Sequence, residues 1–164
     1  MSELDYQFAG LPLHVLLVHA VVVLFPLIGL SVVLSAAIAP LRRALWLVNL
    51  IAAVGLAALV FFTIEAGKWL EQRVPAAPLI QAHTAVGDQL LPWAFAVVGG
   101  AMLVAVQHRL GPRLSTAQLR WIALMLSIAT LAVLVLGTLK LVQIGEAGTR
   151  AVWSGSFSDV PLQR

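Results

Sequence analysis

The chain has 164 residues, of which 61% are hydrophobic and only 10% are charged, and its formal net charge is +3. A soluble domain carries about a quarter of its residues as charges, so this composition excludes an ordinary soluble protein. The absence of cysteine excludes disulfides, thiolate metal sites, cysteine-held iron–sulfur clusters and cysteine nucleophiles. Its arginines are not interleaved with aromatic residues in a basic patch, so nucleic acid is not an expected partner.

Four apolar stretches are long enough to cross a membrane, because about 20 mostly apolar residues span a hydrocarbon layer of roughly 30 Å. In chain order, these predicted helices cover roughly residues 11–39, 44–66, 79–106 and 117–144. They use nearly the whole chain, so we predict one all-α domain over residues 1–164, an integral membrane four-helix bundle. The first helix lacks a basic leader and a small-residue cleavage signal, and we expect a retained anchor rather than a signal peptide.

The connections between the predicted helices differ in charge. The first, PLRRAL, holds two arginines, and the third, QHRLGPRLSTAQLR, holds three arginines and no acid. Connections rich in Lys and Arg stay on the cytoplasmic side, so both are expected inside, and both termini are expected outside. The sequence therefore predicts a multi-pass protein of the inner cell membrane, in contact with the lipid bilayer.

Ionisable side chains gather in the outer halves of the predicted helices. They are His14, His19, Glu65, Lys68, His83, Asp88, Lys140, Glu146 and Arg150. Charges within a membrane are costly and commonly mark functional sites, whereas charges at its surface are often simple ion pairs. Each glutamate in this layer has a base three or four residues later, a spacing that fits such ion pairs equally well.

A short pattern occurs twice in the chain. Glu-Ala-Gly is found at 65–67 and at 146–148, each time closing an apolar helix, and a histidine lies early in each preceding helix, at His14 and His83. This pattern indicates two tandem helical hairpins in a parallel repeat. We then expect His14 and His83 to face each other across the bundle at one depth, with Glu65 and Glu146 on the two intervening helices. Four glycines are expected to allow close approach of helices or of a flat ligand: Gly67, Gly87, Gly145 and Gly148.

Two opposed imidazoles are the arrangement that holds a haem iron or another metal ion. We therefore predict a haem b site formed by His14, His83 and His19. The alternative is a compact transition metal site, in which these histidines are joined by Glu65 and Glu146. Four further groups are expected to support either site: Asp88, Lys68, Lys140 and Arg150. For Asp88, the expected partner is His19 or Lys140.

Four segments together resemble the bacterial membrane proteins grouped as domain of unknown function 2231: GLPLHVLLVHAVVVLFPL, EAGKWLEQRV, QAHTAVGDQLLPW and IGEAGTRAVWSG. The resemblance covers most of the chain, and its most specific piece is the P-L-H-x4-H opening. It implies a four-helix integral membrane protein. Some members of that family are joined to Rieske-type iron–sulfur domains, which implies redox work with a membrane or extracytoplasmic partner. One departure is Glu146, where the family often has histidine.

The sequence leaves three functions open. The first is a haem-binding or metal-binding protein for electron transfer, with no independent catalytic activity expected. The second is a non-catalytic structural or accessory subunit of a larger membrane complex, and a homo-oligomer is also compatible with the pattern. The third is a proton or small-solute pathway through a set of titratable residues. That set is His19, Asp88, Glu65 and Lys140.

Overall fold

Residues 5–156, 158 and 160–161 are described by a computed structural model. Five α-helices follow one another: α1 (Leu13–Ala37), α2 (Ala39–Glu71), α3 (Pro78–Gly87), α4 (Leu91–Leu110) and α5 (Thr116–Trp153). Short 3-10 turns cover Asp88–Leu90 and Gly111–Arg113. A small antiparallel pair of strands, β1 (Gln7–Phe8) and β2 (Leu11–Pro12), precedes α1.

Four helical segments are long and apolar enough to cross a membrane, and α3 and α4 together form the third of them. Their bounds are Leu13–Ala37, Ala39–Glu71, Pro78–Arg113 and Thr116–Trp153. The predicted all-α four-helix bundle is thereby confirmed, and its composition is that of a multi-pass membrane protein. Many large apolar side chains point outward, among them Ile51, which is 64% exposed, and Leu139, which is 61% exposed. In a bilayer these side chains contact lipid rather than water.

Helices α2 and α5 extend beyond their apolar segments. Residues 39–71 are helical where the sequence predicted about 44–66, and α5 continues to Trp153, beyond the predicted end near residue 144. Hydropathy detects only the part of a helix that lies in lipid. Glu, Ala, Lys and Gln are good helix formers, so they extend these helices past the apolar stretch.

The first connection is much shorter than the sequence predicted. Only Ile38 separates α1 from α2, so most of the stretch PLRRAL lies in the first two turns of α2 rather than in a loop. Pro40 is compatible with this position because the first residues of a helix need no N–H partner. Arg42 closes the corner, since its Nη1 donates to the carbonyl oxygens of Ser35 at 3.3 Å and Ala36 at 3.0 Å. These are carbonyls that the end of α1 leaves free.

The long helices form a ring in the order α1, α2, α4, α5, and α1 also meets α4 across the centre. The core between them is apolar and includes the fully buried Phe25, Val60 and Val104. One buried polar cluster joins α1 to α2: the Ser31 hydroxyl donates to Asn49 Oδ1 at 2.7 Å, and Asn49 Nδ2 donates to Ser35 Oγ at 2.8 Å. Such bonds between helices are a common way to satisfy polar side chains in a membrane bundle.

The bundle has two chemically different ends. The histidine end comprises the strand pair, the start of α1, the end of α2, the whole of α3 and the end of α5. The arginine end comprises the α1–α2 corner and the α4–α5 connection. Between residues 38–64 and again between 89–145 the chain has no Asp or Glu at all. The acidic residues therefore belong to the histidine end and to the chain termini.

Candidate site: two histidines held by backbone carbonyls

His14 lies in the first turn of α1, and its ring is fixed by the neighbouring helix. Its Nδ1 is 2.8 Å from the carbonyl oxygen of Thr63 on α2. A carbonyl oxygen can only accept, so Nδ1 carries the proton, and in the neutral ring Nε2 keeps a free lone pair. The side chain is half-buried. Its ring is thus held in one orientation and one tautomer.

Gly67 explains why this carbonyl can be reached. In an α-helix the carbonyl of residue i accepts the N–H of residue i+4, and the residue four after Thr63 is Gly67. A Cβ added at Gly67 would lie 3.0 Å from both Cε1 and Nδ1 of His14. A side chain at this position would therefore compete with the imidazole for the same space. Glycine leaves the second lone pair of the carbonyl open to the histidine.

The second hairpin repeats this arrangement. His83 on α3 places its Nδ1 3.2 Å from the carbonyl oxygen of Ile144 on α5. The residue four after Ile144 is Gly148, and a Cβ added there would lie 3.0 Å from Cε1 of His83. In both hairpins the accepting carbonyl lies two residues before the glutamate of Glu-Ala-Gly, and the glycine lies two residues after it. The tripeptide repeat therefore marks two equivalent histidine sockets.

The two sockets face each other. The ring centroids of His14 and His83 are 6.2 Å apart, with the ring planes inclined at 71°. The prediction that these histidines meet across the bundle is confirmed. The only hydrogen bond that either ring makes within the described part of the chain is the one through Nδ1. Two Nε2 lone pairs therefore remain available in one layer at the histidine end.

The other predicted ligands lie apart from this pair. His19 is exposed, and its Nδ1 is bonded at 2.6 Å to the carbonyl of Val15 in its own helix. Glu65 accepts from Lys68 at 3.1 Å, and Glu146 lies 4.0 Å from Arg150. Over the residues that the structure describes, no three His, Asp or Glu side chains form a group that could hold a metal ion. The predicted five-ligand set is not assembled.

Helix geometry accounts for the position of the glutamates. Two residues along an α-helix correspond to a rotation of about 200° at 3.6 residues per turn. Gly67 faces His14, so Glu65 points to the other side of α2, and Glu146 is related to Gly148 in the same way. The glutamates carry the visible repeat but do not face the histidines.

The supporting lysines tie down the 3-10 turn that joins α3 to α4. Lys68 lies 3.3 Å from Asp88, and Lys140 donates to Gln89 at 3.0 Å and to Gln143 at 2.8 Å. The prediction that Asp88 pairs with His19 or Lys140 was wrong, because its ion-pair partner is Lys68. The two lysines hold the turn from α2 on one side and from α5 on the other. They stabilise the placement of α3, which carries His83.

Sequence reasoning missed a carboxylate close to the pair. Glu71 accepts a hydrogen bond from Thr84 Oγ1 at 3.0 Å, which places its carboxylate beside the residue that follows His83. The signal was available, since Glu71 follows Gly67 by one turn and therefore lies on the face of α2 that meets the histidines. Glu71 lies outside the Glu-Ala-Gly repeat, so the repeat does not indicate it.

The strand pair before α1 was also missed. Its turn is made by Ala9 and Gly10, both with positive φ, of 50° and 78°. The turn brings the chain back so that the Leu13 N–H donates to the Tyr6 carbonyl at 2.8 Å. The Tyr6 ring then lies 6.5 Å from the ring of Trp69. Trp69 follows Glu65 by one turn of α2. Ala-Gly is a weak turn signal because the first position is not glycine or asparagine.

The fold and the site together define a class: a multi-pass helical membrane bundle with a pair of histidines that are each oriented by a backbone carbonyl of a partner helix. No family model, curated protein or solved structure matches the chain. The resemblance described from the sequence therefore stays a prediction, and function is argued from the site.

Proposed function

We propose that this protein binds a single transition metal ion in the membrane, between Nε2 of His14 and Nε2 of His83. The observation that supports the proposal is the pair of Nδ1 hydrogen bonds to backbone carbonyls. Histidines that bind metals almost always donate their other ring N–H to a carbonyl, carboxylate or water, which fixes the ring and raises the basicity of the ligating nitrogen. Both rings have this bond, and both come from the same repeated socket.

The separation of the rings suits one shared ion. With a metal–nitrogen bond of about 2 Å, and about 1 Å more from nitrogen to ring centre, imidazoles on opposite sides of an ion have centres roughly 6 Å apart. A tetrahedral angle shortens this to about 5 Å. The observed 6.2 Å is close to the first value and about 1 Å above the second. A small rotation of the side chains is enough to bind an ion in either geometry.

A single ion suits the surrounding helices better than haem does. The space beside Gly67 and Gly148 is filled by the histidine rings themselves, so these glycines do not form a slot for a flat macrocycle. The hydrogen bonds of His14 and His83 also link α1 to α2 and α3 to α5 in this layer. A porphyrin between the rings would have to push these helices apart, whereas an ion requires only side-chain movement.

The donor set limits which ion is chosen. Imidazole nitrogen suits Zn, Cu, Fe and Ni, and two protein ligands leave positions open for water or for a ligand brought by another molecule. Glu71, which accepts from Thr84 next to His83, places a negative charge near such an ion. The electron-transfer role inferred from the sequence applies to copper or iron, since Zn²⁺ has no redox chemistry.

The test is metal analysis of the detergent-purified protein, with an absorption spectrum of the same sample. We expect one ion per chain after incubation with Zn²⁺, Cu²⁺ or Ni²⁺ and removal of excess metal. His83→Ala and His14→Ala should each lower affinity at least tenfold, while helix content by circular dichroism stays unchanged. His19→Ala is the matched control and should bind like the parent protein.

Three results would contradict the proposal. A Soret band in the purified protein would show that the histidines bind haem instead. Equal metal retention in His83→Ala and the parent protein, or no retention in the parent, would leave the histidines a structural role. That result favours the accessory-subunit hypothesis.

A further inference from the structure

The arginine end presents positive charge without acidic neighbours. Five arginines lie there: Arg42, Arg43, Arg109, Arg113 and Arg120. The stretches of sequence that form this end contain no Asp or Glu. A basic surface of this kind at a membrane rim attracts anionic headgroups. Charge alone does not define a site, but contacts with an aromatic ring hold one of these arginines in place.

The indole ring of Trp46 contacts two side chains at the end of α4, those of His108 and Arg109. The ring of His108 is stacked on the indole, with centroids 5.3 Å apart and an interplanar angle of 13°. The guanidinium carbon of Arg109 lies 5.1 Å from the indole centroid, within the distance of a cation–π contact. Trp46 belongs to α2, whereas His108 and Arg109 belong to the end of α4. A planar platform is thus built across the line where these two helices meet.

Arg109 is free to bind an anion from this platform. Its side chain is exposed, and the residues described by the structure offer its N–H groups no hydrogen-bond partner. Arg42 differs, because its guanidinium already donates to the carbonyls that end α1. A guanidinium presents a fixed fork of donors that matches the oxygens of a phosphate. The indole holds this fork in place before any ligand arrives.

An exposed apolar surface extends from the platform along the outside of α4, toward the middle of the bundle's length. Val106 and Met102 lie three and seven residues before Arg109, so they share its face of α4. They are 50% and 55% exposed. Leu47, next to Trp46 on α2, is 47% exposed. A ligand with a phosphate at one end and hydrocarbon at the other fits this combination.

We propose that the surface formed by Trp46, His108, Arg109, Val106 and Met102 is a binding site for one anionic phospholipid. Arg109 binds the headgroup phosphate, the face of Trp46 and His108 fixes the guanidinium, and the acyl chains follow Val106 and Met102. A lipid is favoured over free phosphate because the charged group and the apolar surface are continuous. The site is at the opposite end from the histidines and does not depend on metal binding.

The experiment is a lipid titration of the purified protein monitored by native mass spectrometry, with phosphatidylglycerol, phosphatidylcholine and inorganic phosphate as probes. We expect the parent protein to retain one phosphatidylglycerol in preference to phosphatidylcholine, and inorganic phosphate not to displace it. Arg109→Ala should weaken phosphatidylglycerol binding about fivefold, the effect of one basic residue at an anionic surface. Arg109→Lys keeps the charge but loses the fork and should show an intermediate loss.

Arg120→Ala is the matched control, because Arg120 lies at the same end, on α5 and outside the platform. An equal loss in Arg109→Ala and Arg120→Ala would overturn the proposal, since the attraction would then be diffuse. So would equal retention of phosphatidylglycerol and phosphatidylcholine by the parent protein, or displacement by inorganic phosphate. Trp46→Leu retains every charge, and unchanged lipid preference in that variant would also refute the platform.

Discussion

Replacing Gly67 by alanine tests the histidine socket directly. The new Cβ would lie 3.0 Å from two atoms of the His14 ring. This is closer than nearly all real Cβ contacts, so the ring must move by a few tenths of an ångström. Its Nδ1 now lies 2.8 Å from the Thr63 carbonyl. The displacement therefore stretches this bond toward about 3.2 Å, the long end of the usual range.

The expected cost follows from three effects. Overpacking costs about 1–3 kcal/mol, and loss of the hydrogen bond costs about 0.5–1.5 kcal/mol. Against these, alanine in place of glycine within a helix gains up to about 1 kcal/mol. Gly55 is the matched control in the same helix, because a Cβ added there meets nothing within 4 Å. Gly55→Ala shares the helix gain, so we expect Gly67→Ala to be less stable than Gly55→Ala by the sum of the two costs, about 1.5–4.5 kcal/mol.

The second socket provides an independent comparison on α5. Gly148→Ala crowds His83, whereas a Cβ at Gly145 meets nothing within 4 Å. The bond from His83 is already long, at 3.2 Å, so Gly148→Ala should cost less than Gly67→Ala. Thermal unfolding in detergent measures the four stabilities, and nitrogen NMR of the histidine rings reports the Nδ1 proton. Equal stability of Gly67→Ala and Gly55→Ala, with an unchanged His14 signal, would refute the socket.

Three further predictions concern the core and the orientation. Gly137→Ala should destabilise the bundle by about 1–3 kcal/mol, since the new Cβ would lie 2.6 Å from the ring of the buried Phe25. Gly29→Ala should cost less, because the atom that its Cβ meets at 2.8 Å is the end of a flexible leucine side chain. Thermal unfolding separates them, and equal losses would contradict the packing. Asn49→Ala should cost about 1 kcal/mol in the same assay, because Asn49 joins α1 to α2 through one buried and one partly buried hydrogen bond, and no loss would count against that link. A phosphatase reporter fused after Arg164 should be active outside the cell, as the arginine-rich connections predict, and activity inside would invert the orientation.

The number and order of the membrane-spanning segments could be predicted because hydropathy determines them. A run of about 20 apolar residues has few alternatives to a membrane-spanning helix. The corner at Ile38 could not be predicted in the same way. Two arginines and a proline suggest a loop, yet Pro40 is acceptable in a first helical turn, and Arg42 caps the preceding helix. Tertiary contacts decided the local structure there.

The pairing of His14 and His83 followed from recognising the repeat, but the roles within the repeat did not. The sequence predicts the glutamates as ligands of a compact metal site or as ion-pair partners, and the glycines as positions where helices or a flat ligand approach closely. The structure reverses this assignment. A histidine needs an exposed carbonyl lone pair, and the side chain four positions further along the helix is one that leans over it. This requirement is a backbone property that residue type alone does not reveal.

The arrangement of the sockets has a consequence for how the site is completed. His14 is held within the first hairpin, by α2, and His83 is held within the second, by α5. Each ring is therefore oriented by a carbonyl of its own hairpin, and the His14–His83 contact lies on the surface between the hairpins. An ion bound by both rings cross-links the hairpins. Binding at 100 times the dissociation constant stabilises the docked bundle by about 2.7 kcal/mol. The proposed metal site would then be linked to the association of the two repeats, so a variant that loosens either one should weaken the other.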